Sequence, residues 1–242
     1  HLMPGRRRAN HSKKISGKSW GGALVPPIRR SKNPYVAVAG NIGCGKSTLV
    51  HVLCEHYGVR PLYEPNEANP YLKDFYADMR QHAFKSQMWF LAQKFRMHQS
   101  LERLEEPVIQ DRTVWEDAEI FADGLRHSRY IKSRDWALYT EFYEGIKEAI
   151  RPPDVLFYLH APVRVIRRRI RQRGRAEEQT ISARYIRQLS DRYASFIDSW
   201  SRCPVRVIDT SQLRYLDDLW DRQLMLEMVS DFLIPRRSLS TS

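Results

Sequence analysis

The sequence contains few cysteines, no long apolar run and no internal repeat. Its three cysteines, Cys44, Cys54 and Cys203, form no CxxC pair, which argues against a disulfide framework and favours a reducing compartment such as the cytoplasm. No apolar run approaches the roughly 18 residues of a membrane-spanning helix. We therefore expect a protein that works in the cytoplasm without a membrane anchor.

Acidic residues are absent from the first 33 positions. The basic residues of this stretch are Arg6, Arg7, Arg8, Lys13, Lys14, Lys18, Arg29, Arg30 and Lys32. Much of the net charge of +12 therefore lies here, and the rest of the chain is only mildly basic. The stretch has little apolar periodicity, so we expect a disordered basic leader over 1–33, with His1-Leu2 as a tag remnant. A solvated tail is the favoured interpretation, and an organelle transit peptide is the alternative.

Short β-rich runs alternate with longer stretches of helical periodicity in the rest of the chain. The runs are 35–39, 59–63, 107–110, 154–160 and 205–209. The helical stretches are 81–105, 133–150, 162–172, 182–200 and 213–233. This alternation predicts an α/β fold with a five-stranded parallel sheet flanked by helices, whose ligands bind beyond the carboxyl ends of the strands. We expect one domain over 34–234, followed by a polar tail at 235–242.

The first predicted strand leads into GNIGCGKST, which fits the P-loop pattern G-x-x-x-x-G-K-[ST] in its expected place before a helix. Glycines let backbone N–H groups converge on phosphate oxygens, the lysine reaches the β- and γ-phosphates, and the serine can hold Mg²⁺. The residues expected to bind the nucleotide are Gly40, Asn41, Ile42, Gly43, Cys44, Gly45, Lys46, Ser47 and Thr48. The sequence therefore predicts a P-loop NTPase fold.

Charged residues follow the second and third predicted strands. A GTPase is excluded because the chain has neither a DxxG switch nor an N/T-K-x-D base-reading motif. Glu64 is placed to accept a proton from an attacking hydroxyl, while Asp111 could hold Mg²⁺ and Arg112 could orient Glu64 or stabilise transferring charge. A solvated loop acid and a structural ion pair are the alternatives. Their convergence at strand ends favours the functional interpretation.

Gln87 is a neutral amide on the apolar stripe of the helix predicted at 81–105. A buried amide needs a hydrogen-bond partner, which could be the edge of a nucleobase. A core glutamine satisfied by backbone groups is an equally weighted alternative.

The stretch RVIRRRIRQRGRAEEQ, residues 164–179, is rich in arginine. Its place after the fourth strand of a P-loop fold favours an arginine-rich lid that closes over the triphosphate. A nucleic-acid patch is the alternative, although Glu177 and Glu178 would repel a polynucleotide backbone. We therefore expect nucleic acid not to be a partner.

Together these stretches resemble the deoxynucleoside kinase family. The resemblance rests on GNIGCGKST, YEP, FY eleven residues before Gln87, DRTVWED and RGRAEEQ, in that order and at similar spacing. It runs from about Tyr35 to about Asp209. Bacterial members that act on purine deoxynucleosides are the most similar, because the chain has Asp111-Arg112 rather than the Glu-Arg-Ser of many animal relatives.

The resemblance implies that ATP phosphorylates the 5′-hydroxyl of a deoxynucleoside, with a purine as the expected base. The implied catalytic residues are Glu64 as general base, Arg112 as its partner near the transferring phosphate, and Lys46. The further implied contacts are Tyr76 and Glu178 to the sugar 3′-hydroxyl, Gln87 and Asp117 to the base, Arg169, Arg173, Arg175 and Asp209 to ATP, and Ser47 with Asp111 to Mg²⁺. A homodimer with a helical-bundle interface is also implied. Lys94 stands where many animal relatives have an arginine that helps to read the base.

Two other functions remain as alternatives. A nucleoside monophosphate kinase shares the P-loop and the lid, but Glu64 would repel the phosphate of its acceptor. A nucleic-acid-binding module regulated by ATP would show steeply salt-dependent binding that needs residues 1–33.

Overall fold

The computed structural model describes residues 33–211 and 219–233. The predicted leader at 1–33, apart from its last residue, and the predicted tail at 235–242 lie outside these residues. The strands are β1 (Tyr35–Gly40), β2 (Arg60–Leu62), β3 (Val108–Asp111), β4 (Val155–His160) and β5 (Val205–Asp209). The longer helices are α1 (Lys46–Tyr57), α3 (Met79–Leu101), α6 (Ser133–Ala149), α7 (Val163–Arg173), α8 (Ala183–Ser199) and α9 (Leu219–Leu233). The five predicted strands are confirmed.

Short helices complete the described chain. They are α2 (Leu72–Ala77), α4 (Val114–Glu116), a π-helix (Asp117–Ala122), α5 (Asp123–His127) and a 3₁₀ turn (Ala176–Glu178). None of these was predicted, because each is too short for its apolar periodicity to be visible. The helix predicted at 81–105 was wrong at its C-terminal end, because α3 stops at Leu101. It starts at Met79, after the N-cap residue Asp78, whose side chain accepts from the Gln81 N–H. The first residues of the helix predicted at 213–233 lie outside the described residues.

All strand pairs are parallel, and the strand order is β2-β3-β1-β4-β5. The central strand β1 alternates its side chains between two cores because successive residues of a strand point to opposite faces. Val36 and Val38 pack with α1 and α9, whereas Tyr35, Ala37 and Ala39 belong to the larger core on the side of α3 and α8. Helices thus cover both faces, and the carboxyl edge of the sheet is left for the site. No described helix has the length and apolar character that crossing a membrane requires.

Candidate active site

The phosphate loop joins β1 to α1 and bends through three glycines. Gly40, Gly43 and Gly45 have φ values of 147°, 74° and 105°, which L side chains rarely adopt. Helix α1 begins at Lys46 with no acidic residue in its first turn, so its N-terminal N–H groups and positive dipole end are available to an anion. Lys46 is buried, and its Nζ donates to the carbonyl of Asn41 over 3.2 Å. The loop therefore has the geometry of a preformed phosphate site.

Asn41 attaches this loop to helix α8. Its Nδ2 donates to the carbonyl of Ile186 over 3.0 Å and to Ser190 Oγ over 2.9 Å, while its Oδ1 accepts from the Ile42 N–H. The side chain is buried and uses both ends of its amide. Asn41 thus contacts protein groups that hold the loop in place.

Arg169 contacts the phosphate loop at Cys44, and Asp209 is the last residue of β5. Neither of them lines the pocket that contains Lys46. The Arg169 guanidinium donates to the carbonyls of Cys44 (3.1 Å) and Thr210 (2.6 Å) and to Thr210 Oγ1 (3.0 Å). Asp209 is exposed at the end of β5, where its Oδ1 accepts from the Ser211 N–H over 2.8 Å. Arg169 therefore connects α7 to the phosphate loop and to Thr210, the residue after β5, through hydrogen bonds.

Glu64 lies two residues beyond β2, and both of its carboxylate oxygens have partners. Arg112 Nε is 2.6 Å from Oε1, and Asn66 Nδ2 donates to Oε2 over 2.9 Å. Burial alone would raise the pKa of Glu64, but Arg112 and, after it, Lys94 lower it to about 2. The carboxylate is therefore ionised and fixed in one orientation.

Arg112 follows β3 in a left-handed backbone conformation, with a φ of 61°. Besides its ion pair with Glu64, its guanidinium donates a hydrogen bond to the hydroxyl of Tyr193 over 3.1 Å and lies 4.2 Å from the ring centre of Phe121. The backbone carbonyl of Arg112 accepts from the fully buried ammonium of Lys94. Contacts to the side chain of Arg112 and to its backbone carbonyl therefore both stabilise the turn after β3.

Asp117 and Gln87 are buried polar residues that line the same pocket from two elements. Asp117 opens the π-helix after α4, and such helices often occur at functional sites. Within the described residues, neither Asp117 Oδ2 nor Gln87 Oε1 has a hydrogen-bond partner. Burial raises the pKa of Asp117 to about 7, and Lys94, which lowers it, is the largest opposing influence. Two residues that line the pocket thus each carry a buried oxygen for which a ligand could supply the hydrogen-bond partner.

The end of α7 and the segment after it bring basic and acidic groups to the pocket. Arg173 forms an ion pair with Glu178 Oε2, and Arg175 NH1 lies 3.7 Å from Glu178 Oε1. Arg175 also lies 3.5 Å from Glu67, which belongs to the loop after β2. The predicted lid segment therefore contacts the loop that carries Glu64.

A hydroxyl and a carboxylate meet at the start of α1. Ser47 Oγ donates to Asp111 Oδ2 over 2.5 Å, and Asp111 Oδ1 is buried with no hydrogen-bond partner in the described part of the chain. Oxygen donors of this kind suit Mg²⁺, which usually takes one or two protein ligands and completes its shell with phosphate and water. Residues 33–211 and 219–233 contain no group of three or more His, Cys, Asp or Glu side chains arranged to hold a metal.

One pocket gathers most of the predicted site. Its predicted members are Ile42, Gly43, Lys46, Ser47, Glu64, Tyr76, Gln87, Arg112, Asp117, Arg173, Arg175 and Glu178. Sequence reasoning missed Asn66, Leu72, Phe75, Phe90, Phe121 and Tyr185, which also line it. Asn66 could have been noticed two residues after Glu64, and Phe75 is the first residue of the FY motif, but Phe90, Phe121 and Tyr185 gave no signal because they read as core positions.

Comparisons with known proteins agree with this geometry. The deoxynucleoside kinase family model matches residues 36–234. Deoxyadenosine/deoxycytidine kinase of Bacillus subtilis is 34% identical over 191 residues, which cover 77% of this chain and 87% of that protein. Deoxyadenosine kinase of Dictyostelium discoideum is 31% identical over 179 residues, which cover 74% and 73%.

A solved structure agrees with the same assignment. The structure of deoxyadenosine kinase from M. mycoides with bound dATP has a TM-score of 0.71 and 26% identity, and the match covers 82% of this chain and 98% of that one. The parallel sheet, the phosphate loop and these matches together show that the chain belongs to the deoxynucleoside kinase family and is a deoxynucleoside-phosphorylating enzyme.

Proposed function

We propose that the chain transfers the γ-phosphate of ATP to the 5′-hydroxyl of a purine deoxynucleoside, with Glu64 as the proton acceptor. The observation that carries this proposal is the Glu64 carboxylate, fixed by Arg112 and Asn66 in the pocket that also holds Lys46 and Ser47. An acceptor hydroxyl between Glu64 and the phosphate loop would have its base on one side and its phosphate on the other. This position matches general base catalysis in phosphoryl transfer.

A carboxylate with a pKa of about 2 is a weak base, and this suits the reaction. Phosphoryl transfer passes through a loose transition state in which positioning and electrostatics matter more than early proton removal. Glu64 accepts the hydroxyl hydrogen bond from the start and takes the proton as the new ester bond forms. Arg112, which pairs with this carboxylate and lines the same pocket, supplies positive charge that stabilises negative charge near the transferring group.

The unpaired oxygens of Gln87 and Asp117 are proposed to read the nucleobase. An adenine edge offers the exocyclic amine as a donor, and a protonated Asp117 can also donate to a ring nitrogen. The names of the relatives from B. subtilis and D. discoideum both include deoxyadenosine, which supports a purine. Phe90 and Phe121 line the same pocket and supply apolar surface for the base.

Tyr76 and Glu178 are proposed to hold the sugar 3′-hydroxyl, and Arg173 and Arg175 to contact the donor phosphates. All four line the pocket. In the structure Glu178 is the partner of both arginines, so phosphate and carboxylate would share the same guanidinium groups. Arginine suits this role because its planar fork can bind two acceptors.

Mg²⁺ is proposed as the cofactor, held by Ser47 and Asp111, whose oxygens meet at the start of α1. When bound, it would neutralise negative charge on the donor phosphates. Lys46 and the N-terminal N–H groups of α1 bind and orient the same phosphates.

The test is transfer of labelled γ-phosphate from ATP with Mg²⁺ to deoxyadenosine, deoxyguanosine, deoxycytidine, thymidine, dAMP and dTMP. Label on a purine deoxynucleoside is the expected result. Label on pyrimidine deoxynucleosides alone would keep the chemistry and overturn the base assignment. Label confined to the monophosphates would remove Glu64 from its role.

We also propose a homodimer built on helix α6, which packs beside α3. Leu138 and Phe142 lie one turn apart on this helix and are 44% and 53% exposed, so two large apolar side chains share one exposed face of α6, as side chains at protein–protein contacts do. The double variant Leu138→Glu and Phe142→Glu should sediment as a monomer, whereas Tyr63→Glu, which changes an exposed aromatic residue elsewhere, should remain a dimer. A wild-type monomer would overturn the proposal.

The three cysteines are unpaired and buried, which supports work in a reducing compartment such as the cytoplasm.

A further inference from the structure

The carboxylate of Glu116 is fully buried, and each of its two oxygens accepts two hydrogen bonds. Oε2 accepts from the Thr113 N–H (2.8 Å) and from Thr113 Oγ1 (3.0 Å), and Thr113 Oγ1 accepts from the Glu116 N–H (3.3 Å), which completes a capping box at the start of α4. Oε1 accepts from the Gly40 N–H (3.1 Å) and from the Tyr193 hydroxyl (2.8 Å). A capping box uses only one of the two carboxylate oxygens. The second oxygen therefore joins the end of β1, where the phosphate loop begins, to helix α8.

The hydroxyl of Tyr193 lies between this carboxylate and the Arg112 guanidinium. It donates to Glu116 Oε1 and accepts from Arg112 NH1 over 3.1 Å. Burial raises the pKa of the Tyr193 phenol well above its usual range, so the hydroxyl keeps the proton that it donates. The ring is fully buried and stacks against Tyr158, with the two ring centres 5.7 Å apart. Tyr193 thus has one orientation and two charged partners.

These contacts form one buried chain from the acceptor side to the donor side. It runs from Glu64 through Arg112, Tyr193 and Glu116 to the N–H of Gly40. Every link joins a charged or strongly polar group to the next, and the Arg112, Tyr193 and Glu116 side chains are almost wholly buried. Low local dielectric strengthens such bonds and makes any missing partner costly.

We propose that Tyr193 and Glu116 are positioning residues, which fix the Arg112–Glu64 pair relative to the phosphate loop. The inference rests on the proposed function, since it concerns the same reaction. Neither residue needs to touch a substrate. Their effect is on distance and angle between the proton acceptor and the phosphate-binding backbone, and errors of about 1 Å in such geometry can slow a reaction about a hundredfold.

A second tyrosine–glutamate contact provides a matched control. The buried Tyr143 donates to Glu119 over 2.5 Å, and Glu119 also accepts from Arg202. This contact has the same chemistry, but no bond in the described structure joins it to Arg112 or Gly40. Tyr143→Phe should therefore cost a hydrogen bond without moving the reacting groups.

The experiment compares Tyr193→Phe with Tyr143→Phe, each alone and combined with Glu64→Gln. Phenylalanine keeps the ring and its stacking, so both variants are expected to fold. We expect Tyr193→Phe to lower kcat about tenfold or more while the KM for ATP changes less than about threefold. In the Glu64→Gln background, the same change should lower kcat less than about twofold, because Tyr193 acts through a group that is already lost. Tyr143→Phe should leave kcat near the wild-type value when alone and near the Glu64→Gln value when combined.

The outcomes separate the inference from the function on which it rests. Wild-type enzyme without deoxynucleoside kinase activity would overturn the proposed function. Wild-type activity with equal kcat values for Tyr193→Phe and Tyr143→Phe, or with losses that simply multiply in the Glu64→Gln background, would overturn the positioning role alone. Should Tyr193→Phe melt too low to be assayed, Glu116→Gln is compared with Glu119→Gln, and a specific loss of kcat in Glu116→Gln is expected. Equal kcat values for that pair would also overturn the role.

Discussion

The ammonium of Lys94 donates a hydrogen bond to the backbone carbonyl of Arg112 over 2.5 Å and another to the carbonyl of Asp111 over 3.2 Å. Lys94 is fully buried, and it uses these donors on the turn that carries Arg112. A left-handed conformation costs a non-glycine residue about 1–2 kcal/mol, so this turn needs such support. The resemblance implied a role in base recognition for the arginine that many animal relatives have at this position. Lys94 instead donates to the backbone carbonyls of Asp111 and Arg112.

Replacing Lys94 by methionine should therefore impair catalysis. The change keeps the length of the side chain but leaves two buried carbonyls without this donor and removes the cation that most lowers the pKa of Asp117. We expect kcat to fall at least about tenfold, equivalent to about 1.4 kcal/mol in the barrier. Steady-state kinetics measure this, and Lys85→Met, at an exposed position of the same helix, is the control. Wild-type kcat in Lys94→Met would show that Arg112 keeps its conformation without the ammonium.

Glu64→Gln should separate chemistry from donor binding. Glutamine has nearly the same shape but cannot accept the proton, and general base catalysis contributes about 10²–10⁴-fold. We expect kcat to fall by that range while the equilibrium dissociation constant for ATP stays within about threefold, because the phosphate loop is untouched. Turnover equal to that of the wild type would remove Glu64 from the reaction.

Asp117 should make the folded state less stable as the pH rises. Its pKa is about 7 in the folded protein and about 3.9 in an unfolded chain, so the fold holds a proton that the unfolded chain releases. The free energy of unfolding should therefore decline between about pH 4 and pH 7 on account of this group. An asparagine at this position cannot ionise, so the melting temperature of Asp117→Asn relative to wild type should be higher at pH 7.5 than at pH 5. An equal difference at both pH values would contradict the raised pKa.

Tyr76→Phe should weaken discrimination at the sugar. A site built to bind a hydroxyl rejects an analogue that lacks it, because its own polar group is left unpaired. Once the tyrosine hydroxyl is gone, the ratio of kcat/KM for a deoxynucleoside over its 3′-deoxy analogue should fall about tenfold. An unchanged ratio would argue against contact between Tyr76 and the 3′-hydroxyl.

Gly40→Ala should destabilise the phosphate loop. A Cβ at this position would lie 2.7 Å from both the carbonyl oxygen of Leu159 and the sulfur of Cys44, and the φ of 147° is itself unsuited to alanine. Gly58 has a φ of 64° but nothing within 4 Å of an added Cβ, so Gly58→Ala measures the backbone effect alone. We expect a larger fall in melting temperature and in ATP affinity for Gly40→Ala. Equal effects of the two changes would show that the contact with β4 is relieved by small shifts.

The sequence was most informative where function depends on residues close together in the chain. The glycines and Lys46 form a contiguous motif, and Glu64 and Arg112 follow strands whose parallel order brings their ends together. Roles that depend on packing between distant elements could not be predicted. Nothing local distinguishes Tyr193 from any other buried tyrosine. Similarly, the arginines of 164–175 gave no sign that Arg169 would face the end of β5 while Arg173 and Arg175 reach the pocket.

The strand order has a consequence for how this enzyme could change. With β1 in the middle, most of the proposed acceptor residues come from the segments after β2 and β3 and from α2 and α3, whereas the proposed donor residues lie mainly in the loop after β1, at the start of α1 and at the end of α7. Substitutions that retune base choice can therefore accumulate in one half of the sheet while the nucleotide-triphosphate half stays intact. Such a division allows one scaffold to acquire new acceptors by changing a few positions, without having to rebuild the machinery that delivers the phosphate.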